Sequence, residues 1–283
     1  MRPIITLTTD FGLRDPYVAE MKAVILSICP EANIVDISHE IEKFNIREAA
    51  FVLACAAPYF PKGTIHVAVV DPGVGTKRKP LLIQTRNATY IGPNNGILTL
   101  AIKNDKPMQI REITNKKLMM PQISNTFHGR DVFAPTAAHI ANNTRTEIVG
   151  RRTNKITKPS FADVVRNRDT LIGEVIHIDN FGNAITNISG ADLRSWKINN
   201  VAKVKVGKRK FELKLCKTYG DTKNHQLLIT VDSHGLLEIS VNQGSATRDY
   251  DIENRDKVTI YRSLGKRMER GGVLRSINRR SSY

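Results

Sequence analysis

The chain has 283 residues, 41% of them hydrophobic and 25% charged, enough apolar material for one large domain or two moderate ones and too much for a disordered polymer. Its formal net charge is +16, so a polyanionic partner has to be weighed from the start. The three cysteines, Cys29, Cys55 and Cys216, have no CxxC spacing, which excludes a disulfide framework and a zinc motif and leaves them as small apolar residues.

The N-terminal stretch MRPIITLTTDFG carries an acid by residue 10 and no long apolar run, so neither a secretory leader nor a membrane span is expected, and the cytoplasm is the expected compartment. PIITLTTDF reads as a strand ending at Asp10. Asp15 then caps a helix with Pro16 at its first position, running through YVAEMKAVILSI and stopping before Pro30. ANIVDIS is a second strand, and Asn45 caps a second helix over IREAAFVLACAA, stopped by Pro58 and Pro61. TIHVAVVD is a β-branched strand ending at Asp71. PLLIQTR and ATYIGP form a strand pair turning at residues 86–88, and GPNNG is a turn cluster. In SNTFHGRDVFAPTAAHIA (124–141), Gly129 marks a turn and Pro135 the first turn of a helix, so His128, Gly129, Arg130 and Asp131 sit at a loop-to-helix junction. Strands alternating with helices indicate an α/β layer with mostly parallel strands.

From residue 160 the text changes to short strands: LIGEVIHID, AITNIS, VAKVKVG, KFELKLC, QLLITVD, LLEISVN and DKVTIYR, with GADLRSW as the one helical turn. The expected organisation is an α/β domain over 1–160, a smaller antiparallel β domain over 161–265, and a basic, flexible tail over 266–283. The basic cluster GKRKFELK alternates with Phe211, Leu213 and Leu215 as a strand with a solvated face would. No helix-turn-helix, RNA-recognition or zinc-finger pattern accompanies the positive charge, so specific nucleic-acid binding is not expected.

Ligands of open α/β sheets bind at the carboxyl ends of strands, where Asp10 and Asp71 fall. A carboxylate there can accept two hydrogen bonds from a ribose diol or orient a cation; each alone also reads as a cap or turn residue. The loop DPGVGTKR (71–78) is neither a P-loop nor GxGxxG, so its glycines serve a close backbone approach, and Arg78 can fold back toward Asp71 or stay solvated. In DNFGN, Phe181 and Asn183 suit a purine by stacking and edge hydrogen bonds, although a Phe in a hairpin reads more simply as a core plug. Ser233, His234 and Gly235 form a tight turn before Glu238, with no GxSxG elbow to make a serine hydrolase. His39, His66, His139, His177 and His225 lack ligand spacing and read as core or surface histidines.

The ordered set TTDFGLRDPYVAEMK, VVDPGVGTKR, GPNNG, TFHGRDVFAP, DNFGNAITNI and DSHGLLEISVNQGSA spans nearly the whole chain. Together these motifs resemble the S-adenosylmethionine (SAM) hydrolases that form adenosine, the SAM hydroxide adenosyltransferases related to fluorinases and chlorinases. The resemblance implies an N-terminal α/β/α sandwich with a C-terminal antiparallel β-barrel-like domain. It implies attack of water on SAM to give adenosine and L-methionine, with no cofactor and no metal. Asp71, Arg78 and His128 match the positions that handle the water, His128 accepting its proton or positioning it. Asp10 matches the carboxylate that holds the ribose. Asp179, Phe181 and Asn183 match positions around the methionine end and the adenine; Ser233, Glu238 and, more weakly, Tyr219 lie in the segment that completes the pocket. The resemblance further implies a homotrimer with the ligand between subunits, and purely structural roles for Arg130 and Asp131. His128-Gly129 stands where halogenases carry a different pair, which argues for hydrolysis. A chlorinase-like enzyme and a SAM- or adenosine-binding regulatory module remain the alternatives.

Overall fold

The computed structural model describes residues 2–198 and 200–262; the tail expected over 266–283 lies outside them. In the N-terminal half, β1 (Ile4–Thr9), β2 (Asn33–Ser38), β3 (Thr64–Val69) and β5 (Ala88–Pro93) run parallel, β4 (Pro80–Gln84) runs antiparallel to β5, and β6 (Gln109–Glu112) pairs antiparallel with β4, in the order β2-β1-β3-β5-β4-β6. β3 is buried along its whole length, as a β-branched strand between two helical layers must be. Its alternation splits the core. Val67 joins Ile5 and Leu7 under α1 (Tyr17–Ile28) and α4 (Ala134–Ala141), while Ala68 packs with Leu53 of α2 (Ile46–Ala56) and with α3 (Ala101–Asn104) on the other face. This is the expected α/β/α sandwich.

Local signals account for most boundaries. Asn45 caps α2 by accepting the Glu48 N–H at 3.1 Å, and Pro135 sits in the first turn of α4. Asp15 does not cap α1. Pro16 takes the cap position with near-helical angles, φ −73° and ψ −5°, and Asp15 turns toward a cleft instead. β6 escaped the sequence reading because QIRE holds a single apolar residue, too little for an alternation signal.

In the second half, the strands are β7 (Val165–Arg166), β8 (Thr170–Ile178), β9 (Ala184–Ser189), β10 (Val201–Val206), β11 (Arg209–Cys216), β12 (Leu227–Val231), β13 (Leu236–Val241) and β14 (Lys257–Tyr261). β8 to β14 are the seven expected strands. They form a closed barrel in the order β14-β10-β11-β12-β13-β9-β8, with β8 pairing back to β14 and β7 added outside β8. One pairing departs from the antiparallel expectation: β11 and β12 run parallel at Leu215–Ile229 and Cys216–Thr230, because residues 217–226 cross over rather than turn back. GADLRSW forms α5 (Gly190–Ser195) behind a Ser189–Asp192 capping box, and a further short helix, α6 (Ala246–Tyr250), follows the Ser245 cap. Lys203, Lys210 and Lys214 point outward from β10 and β11 while Val204 and Leu213 fill the barrel, the solvated strand face that was expected.

The two halves meet through α2. Phe51 stacks on His177 of β8 with ring centroids 4.6 Å apart, Arg47 pairs with Glu174 at 2.9 Å, and Phe161, Ile176 and Ile185 complete the apolar joint. Among the described residues no helix is long and apolar enough to cross a membrane.

Candidate active site

A cleft of about 270 Å³ opens at the carboxyl ends of β1 and β3, lined by Asp10, Asp71, His128 and a set of aromatic rings. Asp71 stands two residues past the end of β3. Arg78 folds back onto it as a fork: Nε donates to Oδ1 at 2.9 Å and Nη2 donates to Oδ2. Nη2 also lies 2.9 Å from His128 Nδ1. The three residues therefore form one hydrogen-bonded chain, with only 5% of the Asp71 side chain and 10% of the Arg78 side chain exposed. Gly75 makes the approach possible. It adopts φ +74°, and a Cβ there would fall 2.3 Å from the Asn125 carbonyl oxygen, so the 71–78 loop can lie against the segment leading to His128.

His128 ends that segment, just before a single π-helical turn over Gly129–Phe133 that leads into α4. Arg130 and Asp131 hold the turn in place. Arg130 reaches Glu20 of α1 at 2.8 Å and Asp131 at 2.7 Å, and Asp131 accepts the Ser124 N–H at 2.8 Å. Partial burial and then the Arg78 charge push the His128 pKa below its usual value, against the pull of Asp71 and Asp131. The imidazole is therefore neutral at neutral pH. A guanidinium can only donate, so Nδ1 is the accepting nitrogen and Nε2 carries the proton. Arg78 Nη1 is buried with no hydrogen-bond acceptor among the described residues. Arg78 does not line the cleft, so the N–H that the cluster can offer there is Nε2–H of His128.

Asp179, Phe181, Asn183, Tyr219, Ser233 and Glu238 line a second, wider cleft of about 900 Å³ at one end of the barrel. The DNFGN turn is shaped by Asp179, whose Oδ1 accepts the Phe181 and Asn183 N–H groups at 2.9 Å while Oδ2 accepts from the Asn183 amide at 3.0 Å. Phe181 is 79% exposed at the mouth of the cleft, which corrects the reading of a core plug: the turn lifts it off the barrel. Glu238 is buried; Tyr219 Oη donates to its Oε1 at 2.9 Å and the Ser240 hydroxyl donates to the same oxygen. Burial raises the Glu238 pKa, the two hydroxyl bonds oppose this, and Asp179 and Asp232 add to it. The Tyr219 hydroxyl is pushed up to about 12, first by burial and then by Glu238.

Within one chain the structure thus brings Asp10, Asp71, Arg78 and His128 together, and the six barrel residues together, but in two clefts that share no lining residue. Sequence reasoning missed several wall residues. Phe11, Tyr17 and Phe127 form a three-ring edge-to-face cluster with centroids 5.2–5.9 Å apart in the first cleft, and Phe44 lies beside Asp10. His177, Asp232, His234 and Asn242 line the second, so His177 is more than a core histidine. Scattered aromatics on loops have no period to detect; only the adjacency of Phe11 to Asp10 and of Phe127 to His128 was a signal. Among the described residues no group of three or more His, Cys, Asp or Glu is placed to hold a metal ion.

Comparison with known proteins bears on both halves. Residues 5–150 match the model of the SAM hydroxide adenosyltransferase N-terminal domain, and residues 173–259 match that of the C-terminal domain. An (R)-S-adenosyl-L-methionine hydrolase of Methanocaldococcus jannaschii is 37% identical over 267 residues, covering 91% of this chain and 95% of the relative. A fluorinase of Nocardia brasiliensis is 30% identical over 284 residues, covering 89% and 94%. A crystal structure of a conserved protein from Thermotoga maritima superposes with a TM-score of 0.83 at 40% identity, covering 91% of this chain and all of that one. On these matches, the chain belongs to the SAM hydroxide adenosyltransferase family.

Proposed function

We propose that the protein hydrolyses S-adenosyl-L-methionine, water attacking C5′ to give adenosine and L-methionine. The observation that carries this reading is the Asp71–Arg78–His128 hydrogen-bond chain, with the His128 Nε2–H left for the cleft at the strand ends. The names of relatives such as that of M. jannaschii support the R epimer at sulfur as the substrate.

The chemistry needs such a cluster. The sulfonium activates C5′, and the leaving group departs as a neutral thioether. Bulk water, with a pKa near 15.7, supplies almost no hydroxide at neutral pH. His128 Nε2–H stabilises a hydroxide, or the developing charge on water, much as an oxyanion-hole donor does, and the buried Arg78 charge behind it adds to the field. Asp71 fixes the guanidinium and balances its charge. With Nδ1 committed to Arg78, His128 acts as a donor that captures and positions hydroxide rather than as the acceptor of its proton. Hydroxide and sulfonium annihilate charge in the transition state, so a dry site accelerates the step. The oxygen must stand roughly 3–3.5 Å from C5′, in line with the C–S bond.

Asp10 accepts from the ribose diol, while the barrel cleft takes the adenine and the methionine end through Asp179, Phe181, Asn183, Ser233, Glu238 and Tyr219. The two clefts combine between neighbouring subunits of a homotrimer. Exposed Leu13, Tyr17 and Phe44 around the first half and Phe181 at the second support this, as apolar surface that a partner would cover.

Two outcomes test the reading here. Incubation of each SAM epimer with and without chloride is expected to release adenosine and methionine in equal amounts, independent of chloride; chlorodeoxyadenosine would establish the halogenase alternative, and tight binding without release the regulatory module. Asp10→Ala is expected to weaken adenosine binding by about 1.5–3 kcal/mol, the loss of charge-assisted hydrogen bonds, measured by calorimetry.

The pH profile follows from His128. Its pKa is lowered, so the neutral imidazole persists below the usual value of 6.5 and is lost only as pH falls through the lowered pKa. Protonation would put an N–H against the Arg78 N–H and break the chain. A profile of kcat is therefore expected to fall on the acid side with a midpoint below 6.5. An acid limb that persists unchanged in His128→Asn would assign the titration to another group.

A further inference from the structure

Asp10 stands where the sheet stops supporting the chain. The pairing of β1 with β2 ends at Thr8–Ser38, after a register shift at Leu7/Thr8, and its pairing with β3 ends at Thr9–Val69. Residues 10–12 therefore have no ladder to hold them, although the Asp10 carboxylate has to be placed accurately to meet a diol. The segment after β2 does this instead. Phe44 N–H donates to Asp10 Oδ2 at 2.9 Å, the Lys43 ammonium donates to the Asp10 carbonyl, and Gly12 N–H donates to the His39 carbonyl at 2.8 Å. Phe44 makes its contact at φ +65°, a left-handed conformation that is strained for an aromatic residue and is kept where something requires it.

His39 is the root of this arm. It is 4% exposed, and its Nδ1 lies 2.8 Å from Thr9 Oγ1. Its Nε2 lies 3.0 Å from Asp36 Oδ1, close to the carboxylate although not aligned as a hydrogen bond, and Asp36 is paired with Lys22 of α1 at 2.6 Å. A carboxylate beside Nε2 favours the proton on that nitrogen, so Nδ1 accepts from the Thr9 hydroxyl. The Thr9 oxygen is then free to accept the Phe11 N–H, 3.3 Å away. His39 thus ties both sides of Asp10 to a single arm braced on α1, Thr9 through its buried imidazole and Gly12 through its backbone carbonyl.

We infer that His39 is a positioning residue for substrate recognition: its imidazole, bonded to Thr9, fixes the end of β1 beside the backbone bond to Gly12, so that Asp10, held at Oδ2 by Phe44, presents Oδ1 to the ribose hydroxyls. This rests on the reading of Asp10 as the ribose-holding group. His39 touches no reacting atom and acts only through the placement of Asp10.

The test measures the affinities of adenosine and of 2′,3′-dideoxyadenosine for the full chain by calorimetry. The preference of the native protein for adenosine is expected to be about tenfold or more, and Asp10→Ala abolishes it. His39→Ala and Thr9→Val are expected to lower the preference toward unity by weakening adenosine, with dideoxyadenosine binding unchanged. That unchanged control is something a general loss of folding could not produce. His39→Asn, whose amide oxygen occupies the Nδ1 position, restores most of the preference. Should His39→Ala fail to fold, Thr9→Val removes the same bond with a side chain of the same shape and decides the matter alone. Full preference in Thr9→Val alongside its loss in Asp10→Ala overturns the inference. Full preference in Asp10→Ala overturns the ribose reading itself, and the two failures are thereby distinguished.

Discussion

Replacing His128 with alanine is expected to lower kcat for SAM hydrolysis by about 10²–10³-fold, the usual cost of removing one preorganised donor from a site of developing negative charge. KM should move little, because the donor acts on the water and not on the substrate. Burial argues that the site survives the change: His128 is half-buried, and the π-helical turn behind it is held by Arg130, Asp131, Glu20 and Ser124. The Asp71–Arg78 fork also stays intact. Steady-state kinetics with a parallel SAM titration separates the outcomes. Unchanged turnover would remove His128 from the mechanism, and lost binding with unchanged turnover per bound substrate would make it a recognition residue.

Replacing Arg78 with methionine is expected to cost more, and in two currencies. Turnover falls by about 10³-fold or more, because both the positive charge behind the hydroxide and the group that sets the His128 tautomer are gone. Stability falls as well, because the Asp71 side chain is only 5% exposed and loses the fork that neutralises it. Breaking a buried pair from one side costs about 3–5 kcal/mol, which lowers the melting temperature by on the order of 10 °C. The double variant Asp71→Asn with Arg78→Met removes the stranded charge, so its melting temperature recovers while its turnover does not. A double variant as unstable as the single one would show that the fork is not what stabilises this loop.

The sequence made the architecture legible because both halves repeat strong local signals. Alternating β-branched strands and capped helices in the first half, and seven short strands in the second, need little tertiary information. What failed was local and weak: β6 with its single apolar residue, the Asp15 cap displaced by Pro16, and a parallel β11–β12 contact that only a crossover connection creates. For the site, Asp10, Asp71, Arg78 and His128 stood out by residue type at strand and helix ends, and the structure brings Asp10, Asp71 and His128 to one cleft with Arg78 bonded to the latter two. Phe44 and His39 were invisible for a physical reason. Their contribution lies in a backbone angle and in a buried bond to Thr9, and neither leaves a pattern in the order of residues. The tautomer of His128 likewise follows only from the placement of Arg78.

Attack of water on C5′ of SAM in this site can be followed in a single turnover in ¹⁸O-water free of chloride, with mass spectrometry of both products. Adenosine carrying ¹⁸O at its 5′ oxygen is expected, together with unlabelled methionine. Label in homoserine beside 5′-methylthioadenosine, or SAM bound and recovered intact, would contradict it.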